Sequence, residues 1–267
     1  MCTLSWRCDE VSLDVFFNRD EQKVRPTARR AQYWQDYQAI FPVDPQGGGT
    51  WIAVTREGVV FALLNNYAET AELLAHRRVV GGNSQIWLSR GLVITMLLQE
   101  LSANETDRPY THVGQFCDDL LQECVELLPL YSFLPFTLVC IRPGEVARAC
   151  HWDGLQLQFE NVVSPLVSSG VLLPQVKQSR LHNYPRMNQT CDALRQFHRS
   201  HCPEPSALSV CMHRQDAQTV SVTHIHVGKD IRFSYLAGAP CQSENEVVVT
   251  LARKSFNELA KNNLSCL

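Results

Sequence analysis

The chain lacks several features that would place it quickly in a class of protein. Its longest apolar runs, residues 91–98 and 133–141, are far shorter than the roughly 18 residues that a membrane-spanning helix needs. Positive charge is not in excess, because 24 Lys and Arg residues stand against 27 Asp and Glu residues. A net charge of −3 gives no electrostatic support for binding a phosphate backbone. The sequence therefore predicts no transmembrane segment and no nucleic acid partner.

A secretory signal and a disulfide framework are also missing. Polar residues interrupt the apolar ones throughout the first ten positions, where a signal peptide would have a continuous apolar core. The eleven cysteines contain no C-x-x-C pair, and without a signal we expect free thiols that mostly pack in the core. Gly47-Gly48-Gly49 precedes a strand rather than a helix, so no phosphate-binding loop is predicted. We expect a cytoplasmic protein, and we assign it no cofactor and no metal ligand.

The N-terminal residues have the pattern of a β-hairpin. Residues 2–6 and 12–17 alternate between apolar and polar side chains, with a polar stretch between them. A turn centred just after Asp9 would place Cys2 opposite Phe17. That register gives one apolar face, and Cys2 lies on it.

Similar patterns predict further strands and helices. A second hairpin joins residues 49–55 and 59–66 through a turn in which Gly58 supplies a positive φ. Antiparallel hairpins with helices grouped between them favour an α+β fold, and the length suits a single domain over residues 1–267. The other predicted strands cover residues 136–142, 147–152, 155–160, 208–213, 219–227 and 231–235, and the predicted helices cover residues 90–101, 112–127, 187–200 and 252–262.

The position of Cys2 gives it chemistry that the other cysteines lack. Methionine aminopeptidases remove Met1 when the next residue is small, and Cys2 would then carry a free α-amine. An α-amine has an unperturbed pKa of about 8 and can act as general base for the thiol beside it. Arg19 and Asp20 emerge next to Cys2, where the guanidinium would favour the thiolate and the carboxylate would orient the ammonium. Alternatively, Cys2 packs in the core and Arg19 and Asp20 form a surface ion pair.

A nucleophile of this kind also needs hydrogen-bond donors for an oxyanion. Asn65 and Asn66 end the second hairpin and are the best side-chain donors, although paired asparagines at a strand end are also typical turn formers. Contacts with the substrate are assigned to four residues in or next to the same motifs: Asn18, Glu21, Trp51 and Asn65.

Seven segments together resemble one known family. They read MCTLSW, FFNRDE, PVDPQGGGTWIAV, FALLNNY, SRGLV, FHRSH and ALSVCMHRQDAQTVS, and the resemblance extends from Met1 to about Cys241. The set resembles a bacterial branch of the NRDE family, which includes Transport and Golgi Organisation protein 2. The resemblance implies an N-terminal-nucleophile (Ntn) hydrolase fold, a four-layer α-β-β-α sandwich with antiparallel sheets. This fold is similar to that of penicillin V acylase and bile salt hydrolase, which cleave amide bonds with an N-terminal cysteine.

The resemblance also implies roles for individual residues. Cys2 matches the nucleophile and Arg19 the arginine beside the thiol. Asp20 matches the carboxylate that contacts the amine, and Asn66 the first oxyanion asparagine. The related hydrolases have Arg-x-x-Asp where this chain has adjacent Arg and Asp, which leaves Glu21 as an alternative to Asp20.

Two further positions depart from the related proteins. Ser168 and Ser169 lie where the second oxyanion asparagine would fall, and the late arginine of eukaryotic members is absent unless Arg214 replaces it. Two functional hypotheses therefore stand. The first is a cytosolic amidohydrolase or acyl transferase that acts on an amide or thioester bond of a small molecule. The second is a binding protein that holds haem, a lipid or acyl-coenzyme A without turnover.

Other histidines and cysteines leave metal or haem binding open. The Cys202-Pro203 dipeptide resembles an element of haem-responsive proteins. His224 and His226 share one face of a strand, which suits metal binding, acid–base chemistry or a plain strand surface. Four residues have the ligand types of a zinc site, but their spacing is poor and favours a helix that ends with basic residues: Cys191, His198, His201 and Cys202.

Overall fold

The computed structural model describes residues 2–79, 86–103, 116–187 and 189–254. Within these ranges the chain forms thirteen strands and five α-helices. The strands are β1 (Cys2–Cys8), β2 (Leu13–Gln22), β3 (Arg29–Trp34), β4 (Ala39–Val43), β5 (Ile52–Thr55), β6 (Val60–Asn65), β7 (Phe136–Ile141), β8 (Arg148–Trp152), β9 (Leu157–Asn161), β10 (Leu166–Ser168), β11 (Ala217–Val227), β12 (Asp230–Ala237) and β13 (Glu246–Ala252). The helices are α1 (Tyr67–Val79), α2 (Leu92–Ala103), α3 (Phe116–Glu126), α4 (Leu173–His182) and α5 (Cys191–Arg199).

Two antiparallel sheets organise the strands. Sheet A has the order β10-β1-β2-β11-β12-β13, and sheet B has the order β3-β4-β5-β6-β7-β8-β9. The sheets pack face to face through apolar side chains, among them Leu4, Phe17 and Ile225 of sheet A and Val54 and Val139 of sheet B. Because helices cover the outer face as well, β2 is buried along almost its whole length.

Helices cover the outer face of each sheet. Ile94 of α2 and Leu121 of α3 belong to one core with Phe61 of sheet B. Leu194 of α5 packs with Phe16 of sheet A. The layer order is therefore helix, sheet, sheet, helix. This confirms the α+β class and the four-layer α-β-β-α sandwich that the resemblance implies.

The register of the first hairpin differs from the predicted one by two residues. Cys2 lies opposite Arg19, so the predicted pairing with Phe17 is wrong. The turn is centred later because the Asp9 carboxylate accepts hydrogen bonds from the backbone N–H and the hydroxyl of Ser12, both at 2.7 Å. A shift of two residues keeps each side chain on its predicted face, and Cys2 packs against the core between the sheets.

Most other predicted elements are present with shifted ends, but two are not. The strand predicted over residues 208–213 is wrong, because residues 200–216 form an irregular segment with one isolated bridge at His213. In that segment the backbone N–H of Leu208 bonds to the Ser206 hydroxyl at 3.2 Å rather than to a strand. The helix predicted over residues 252–262 lies mainly outside the described residues. No helix within the described ranges is long and apolar enough to cross a membrane.

Candidate active site around Cys2

Cys2 begins β1 and lines a cavity of about 610 Å³. The cavity lies where the ends of β1 and β2 meet the segments that precede β5 and α2. Six of the predicted site residues line it: Cys2, Arg19, Asp20, Glu21, Trp51 and Asn65. Residues of the lining that sequence reasoning did not assign include Arg25, Asp44, Tyr67 and Arg90.

Arg19 is fixed in this cavity by stacking and by ion pairs. Its guanidinium lies over the ring of Trp51, 4.3 Å from the ring centroid. Its Nη2 is 3.3 Å from Asp44 and 3.5 Å from Glu21. Burial opposes the ionisation of Asp44, but a hydrogen bond from Arg25 and the charges of both arginines lower the pKa of Asp44 below its usual value. Asp44 is therefore a carboxylate that holds the two arginines in place.

Asp20 is a buried carboxylate held by β11 and α4. Its Oδ1 accepts a hydrogen bond from the Thr219 hydroxyl at 2.7 Å, and its Oδ2 accepts two from Arg180 at 3.2 and 3.3 Å. Arg180 is fully buried and also donates to the Thr3 hydroxyl and the Ala207 carbonyl. The buried pair thus holds the Asp20 side chain in place. Sequence reasoning missed Arg180, which lies 160 positions away from Asp20 and in no motif.

The charges of Asp20 and Arg19 both influence the pKa of the Cys2 thiol. Burial is the largest influence and raises the pKa of Cys2 above its usual value. The Asp20 carboxylate raises it further, whereas a hydrogen bond from the Asp20 backbone and the charge of Arg19 lower it. A thiol with a raised pKa is a poor nucleophile until a base removes its proton.

The two neighbouring asparagines lie in different surroundings. Asn65 lines the cavity, and its Nδ2 donates to the Tyr67 hydroxyl at 3.1 Å. Asn66 is not among the lining residues; its Oδ1 accepts from the Thr137 hydroxyl at 3.2 Å, and its Nδ2 lies 3.3 Å from Nδ1 of His151. Asn65, which was assigned to substrate contact, therefore lines the cavity. Asn66, which was assigned to the oxyanion, does not.

Asn18 belongs to a buried network rather than to the cavity. Its Nδ2 donates to the backbone oxygens of His198 and Val210 at 2.9 and 3.0 Å, and its Oδ1 accepts from Nδ1 of His198 at 2.8 Å. Nε2 of His198 then accepts from the Ser5 hydroxyl at 2.7 Å. Burial lowers the pKa of His198 to about 3, so this imidazole is neutral. Asn18 ties β2 to α5 and does not contact the cavity.

Ser168 lies in the region where the second oxyanion asparagine was expected. It is directly opposite Cys2 in the pairing of β10 with β1, so the two side chains share one face of sheet A. The buried Ser168 hydroxyl has no hydrogen-bond partner among the described residues. Arg214, the alternative late arginine, instead pairs with Asp216 at 2.7 Å outside the cavity.

Two glycine-containing segments form part of the cavity wall. The backbones of Gly49 and Gly91 approach so closely that a Cβ on Gly49 would collide with Gly91. The N–H of Thr50 donates to the Gly91 carbonyl at 3.0 Å. This contact places Arg90 in the lining, where its Nη2 donates to the Thr70 hydroxyl at 2.7 Å. Both segments carry the family resemblance. The close approach was not predicted, and the glycines are the sequence signal that could have indicated it.

The zinc ligands suggested near position 200 do not converge. His198 is enclosed in its own network, while Nε2 of His201 lies 3.2 Å from Nε2 of His213, in a different segment. Cys202 is exposed and Cys191 is half-buried. Among the nine cysteines whose side chains are described, only four are buried, which is fewer than expected.

His224 and His226 share one carboxylate. Their ring nitrogens lie 2.9 and 3.0 Å from Oδ1 of Asp14. Burial would raise the pKa of Asp14, but the two histidine hydrogen bonds outweigh it and lower this pKa to about 2. The shared strand face was predicted, but Asp14 was not.

Two solved structures similar to this chain are Anbu proteins. One is the Anbu (Gly-1) mutant from Hyphomicrobium sp. strain MC1, with 10% identity, a TM-score of 0.24, and 100% of this chain and 96% of that chain covered. The other is Anbu (ancestral beta-subunit) from Yersinia bercovieri, with 10% identity, a TM-score of 0.29, and 99% of this chain and 92% of that chain covered. TM-scores this low carry no argument, and the fold rests on the layers described above.

A comparison of the sequence with models of protein families identifies the family of this chain. No curated protein matches this chain. The family model described as Transport and Golgi organisation 2 matches residues 1–219, which is most of the 267 residues. The matched part contains every residue of the candidate active site, from Cys2 to Thr219. The chain belongs to the Transport and Golgi organisation 2 family.

Proposed function

We propose that this protein is an Ntn-type hydrolase or acyl transferase that uses Cys2 as nucleophile on an amide or thioester bond. The observation that carries the proposal is the position of Cys2 opposite Arg19, in a cavity that Asp20 also lines. The cavity volume of about 610 Å³ falls in the range of roughly 300–1,000 Å³ that is typical of small-molecule sites. The proposed substrate is therefore a small acylated molecule.

The mechanism requires removal of whatever precedes Cys2. The free α-amine would lie beside the sulfur and take its proton, which overcomes the raised pKa of the buried thiol. Arg19 would stabilise the thiolate. Asp20 is proposed to orient the ammonium, since Arg180 and Thr219 already fix its carboxylate.

The proposed reaction has two steps. In the first, the Cys2 sulfur bonds to the carbonyl carbon of the substrate, and the ammonium returns its proton to the departing amine or thiol. A thioester is left on the enzyme. In the second, water or an acceptor amine attacks that thioester, the α-amine takes the proton of the attacking group, and Cys2 recovers its thiol.

Asn65 and Ser168 are the proposed oxyanion donors. Asn65 supplies an amide N–H from the cavity lining, and Ser168 has a buried hydroxyl without a partner among the described residues. Ser168 is not among the residues that line the cavity, but it lies directly opposite Cys2 on the same face of sheet A. Donors of this kind stabilise the charge that develops on the carbonyl oxygen during attack. Asn66, which bonds to Thr137, has no part in this proposal.

Arg90 gives an indication of the substrate. Its Nε donates to the Leu134 carbonyl at 3.3 Å and its Nη2 to the Thr70 hydroxyl at 2.7 Å. Within the described part of the chain its guanidinium bonds to these two oxygens and lies 5.9 Å from the centroid of the Tyr67 ring, with no carboxylate partner. A cation of this kind in the cavity lining favours a substrate that carries an anionic group.

Labelling with a thiol-reactive acyl probe tests the proposal. We expect the probe to acylate Cys2 in the wild-type protein and to leave Cys2→Ala unlabelled at this site. Cys8→Ala is the matched control, because Cys8 ends the same strand and is exposed. Equal labelling of wild type and Cys2→Ala would contradict the proposal. Ligand-induced thermal stabilisation by acyl-coenzyme A or haemin, without any acylation of Cys2, would instead support a binding protein without turnover.

A further inference from the structure

A second group of reactive side chains lies outside the cavity. It consists of His201, Cys211, His213 and Cys241, here called the distal cluster. The possible ligand atoms of these four residues all lie within 4.8 Å of one another. Nε2 of His213 is 3.2 Å from Nε2 of His201. The same atom is 3.5 Å from Sγ of Cys211 and 3.3 Å from Sγ of Cys241. One small volume therefore receives two imidazole nitrogens and two sulfurs.

These separations suit a tetrahedral zinc ion. With Zn–N bonds of about 2.0 Å and Zn–S bonds of about 2.3 Å, tetrahedral geometry separates two nitrogens by about 3.3 Å and a nitrogen from a sulfur by about 3.5 Å. The nitrogen–nitrogen distance of 3.2 Å and the nitrogen–sulfur distances of 3.3 and 3.5 Å are close to these values. Two thiolates with two imidazoles are also a ligand set that selects zinc. We propose that the distal cluster binds one Zn²⁺.

The zinc ion would join the irregular segment of residues 200–216 to the chain that follows β12. His201, Cys211 and His213 belong to that segment, and Cys241 follows β12. A segment of this length without regular secondary structure is uncommon in a compact protein unless it has a specific role. A metal crosslink would hold residues 200–216 in place, since no strand or helix of their own does so.

Hydrogen bonds to backbone carbonyls already align the segments that carry the ligands. The Arg199 side chain donates to the Pro240 carbonyl at 3.0 and 3.2 Å, next to Cys241. The N–H of Cys211 donates to the Ser200 carbonyl at 3.0 Å, next to His201. The ligands are thus held close to their positions by contacts that do not depend on the metal.

The role of the proposed zinc is structural. Four protein ligands complete a tetrahedral shell and leave no position for a substrate or a reactive water. The same segment supports Asp20, because the N–H of Met212 donates to the Thr219 hydroxyl at 2.8 Å and that hydroxyl donates to Asp20. Loss of zinc would loosen this support without removing any group from the cavity.

Metal analysis of the full-length protein tests the inference independently of any enzymatic activity. We expect one zinc per chain, and Co²⁺ added to the zinc-free protein should give the visible bands of tetrahedral cobalt with thiolate ligands. Cys241→Ser, which changes an exposed residue, should fold yet bind at least about 100-fold more weakly. Cys202→Ser is the control, since this exposed cysteine lies in the same segment but outside the cluster, and it should bind as wild type does.

Three outcomes would overturn the inference. One is a folded wild-type protein that binds neither Zn²⁺ nor Co²⁺ stoichiometrically. Another is unchanged cobalt affinity and spectrum in Cys241→Ser. The last is a disulfide between Cys211 and Cys241 in metal-free protein that was purified under reducing conditions, because it would consume both sulfur ligands. Circular dichroism confirms that each variant is folded before its affinity is compared.

Discussion

Cys2 and Arg19 lie directly opposite each other on β1 and β2, so their side chains share the inner face of sheet A. Arg19 is held there by the ring of Trp51, at 4.3 Å from the centroid, and by Asp44. This pairing makes the first hairpin a single unit that delivers a thiol and a fixed positive charge to one cavity.

Replacement of Arg19 by lysine tests whether the positive charge must be held in a fixed position. Arg19→Lys keeps the charge but loses the planar group that stacks on Trp51 and pairs with Asp44. We expect acylation of Cys2 by the probe to slow about tenfold, equivalent to about one pKa unit of lost thiolate support. Arg214→Lys changes an exposed ion pair and serves as the control. Rates that are equal in both variants would show that Arg19 does not act on the thiol.

The oxyanion assignment predicts different effects at three polar residues. Ser168→Ala and Asn65→Ala should each slow acylation about 10²- to 10³-fold, as loss of one oxyanion donor does. Asn66→Ala should slow it less than about tenfold, since Asn66 bonds to Thr137 and not into the cavity. Unfolding in urea checks that Ser168→Ala remains folded. A large effect at Asn66 with none at Ser168 would reverse the assignment.

The buried pair of Arg180 and Asp20 should matter more for stability than an exposed pair. Arg180→Met leaves a buried carboxylate without its cation, and we expect the free energy of unfolding to fall by about 3–5 kcal/mol. Arg214→Met breaks the pair with Asp216 at the surface and should cost less than about 1 kcal/mol. Urea denaturation at neutral pH measures both. A similar small loss in both variants would argue against the role of Arg180 in holding Asp20.

The neutral state of His198 predicts a pH dependence of stability. Its pKa is lowered to about 3 in the folded protein, whereas an unfolded histidine has a pKa of about 6.5. Between these values the unfolded chain binds a proton that the folded one does not, so the free energy of unfolding falls as the pH falls. His198 contributes at most about 1.4 kcal/mol per pH unit to this slope.

Urea unfolding between about pH 7 and about pH 5 measures that slope. His198→Gln should flatten it, because the titrating group is gone. His182→Gln is the control, since His182 is exposed at the end of α4, and it should keep the wild-type slope. A slope that His198→Gln leaves unchanged would mean that other groups cause the acid sensitivity.

The sequence predicted the faces of the first hairpin but not its register. Alternation has a period of two residues, so it assigned Cys2 to the apolar face whether the partner was Phe17 or Arg19. The register depends on the turn, and the hydrogen bonds between Asp9 and Ser12 that set the turn are not visible in an alternating pattern. The error of two residues in the register therefore did not change the face of the sheet to which Cys2 was assigned.

Residues supplied by distant parts of the chain could not be predicted. Arg180 and Thr219 reach Asp20 from an α-helix and a strand that follow it by more than a hundred residues. His201 was considered as a possible metal ligand together with its sequence neighbours His198 and Cys202, but the structure does not bring those side chains together. Its partners in space are Cys211 and His213, which fold back in the irregular segment.

In the proposed mechanism Cys2 becomes a nucleophile only as the first residue of the chain. The most direct measurement compares two preparations of one protein, released from a fusion so that one begins at Cys2 and the other keeps Met1. Mass spectrometry after treatment with the acyl probe then locates the adduct. We expect a thioester on Cys2 in the first preparation and none in the second. Equal acylation of both preparations, or of neither, would contradict it.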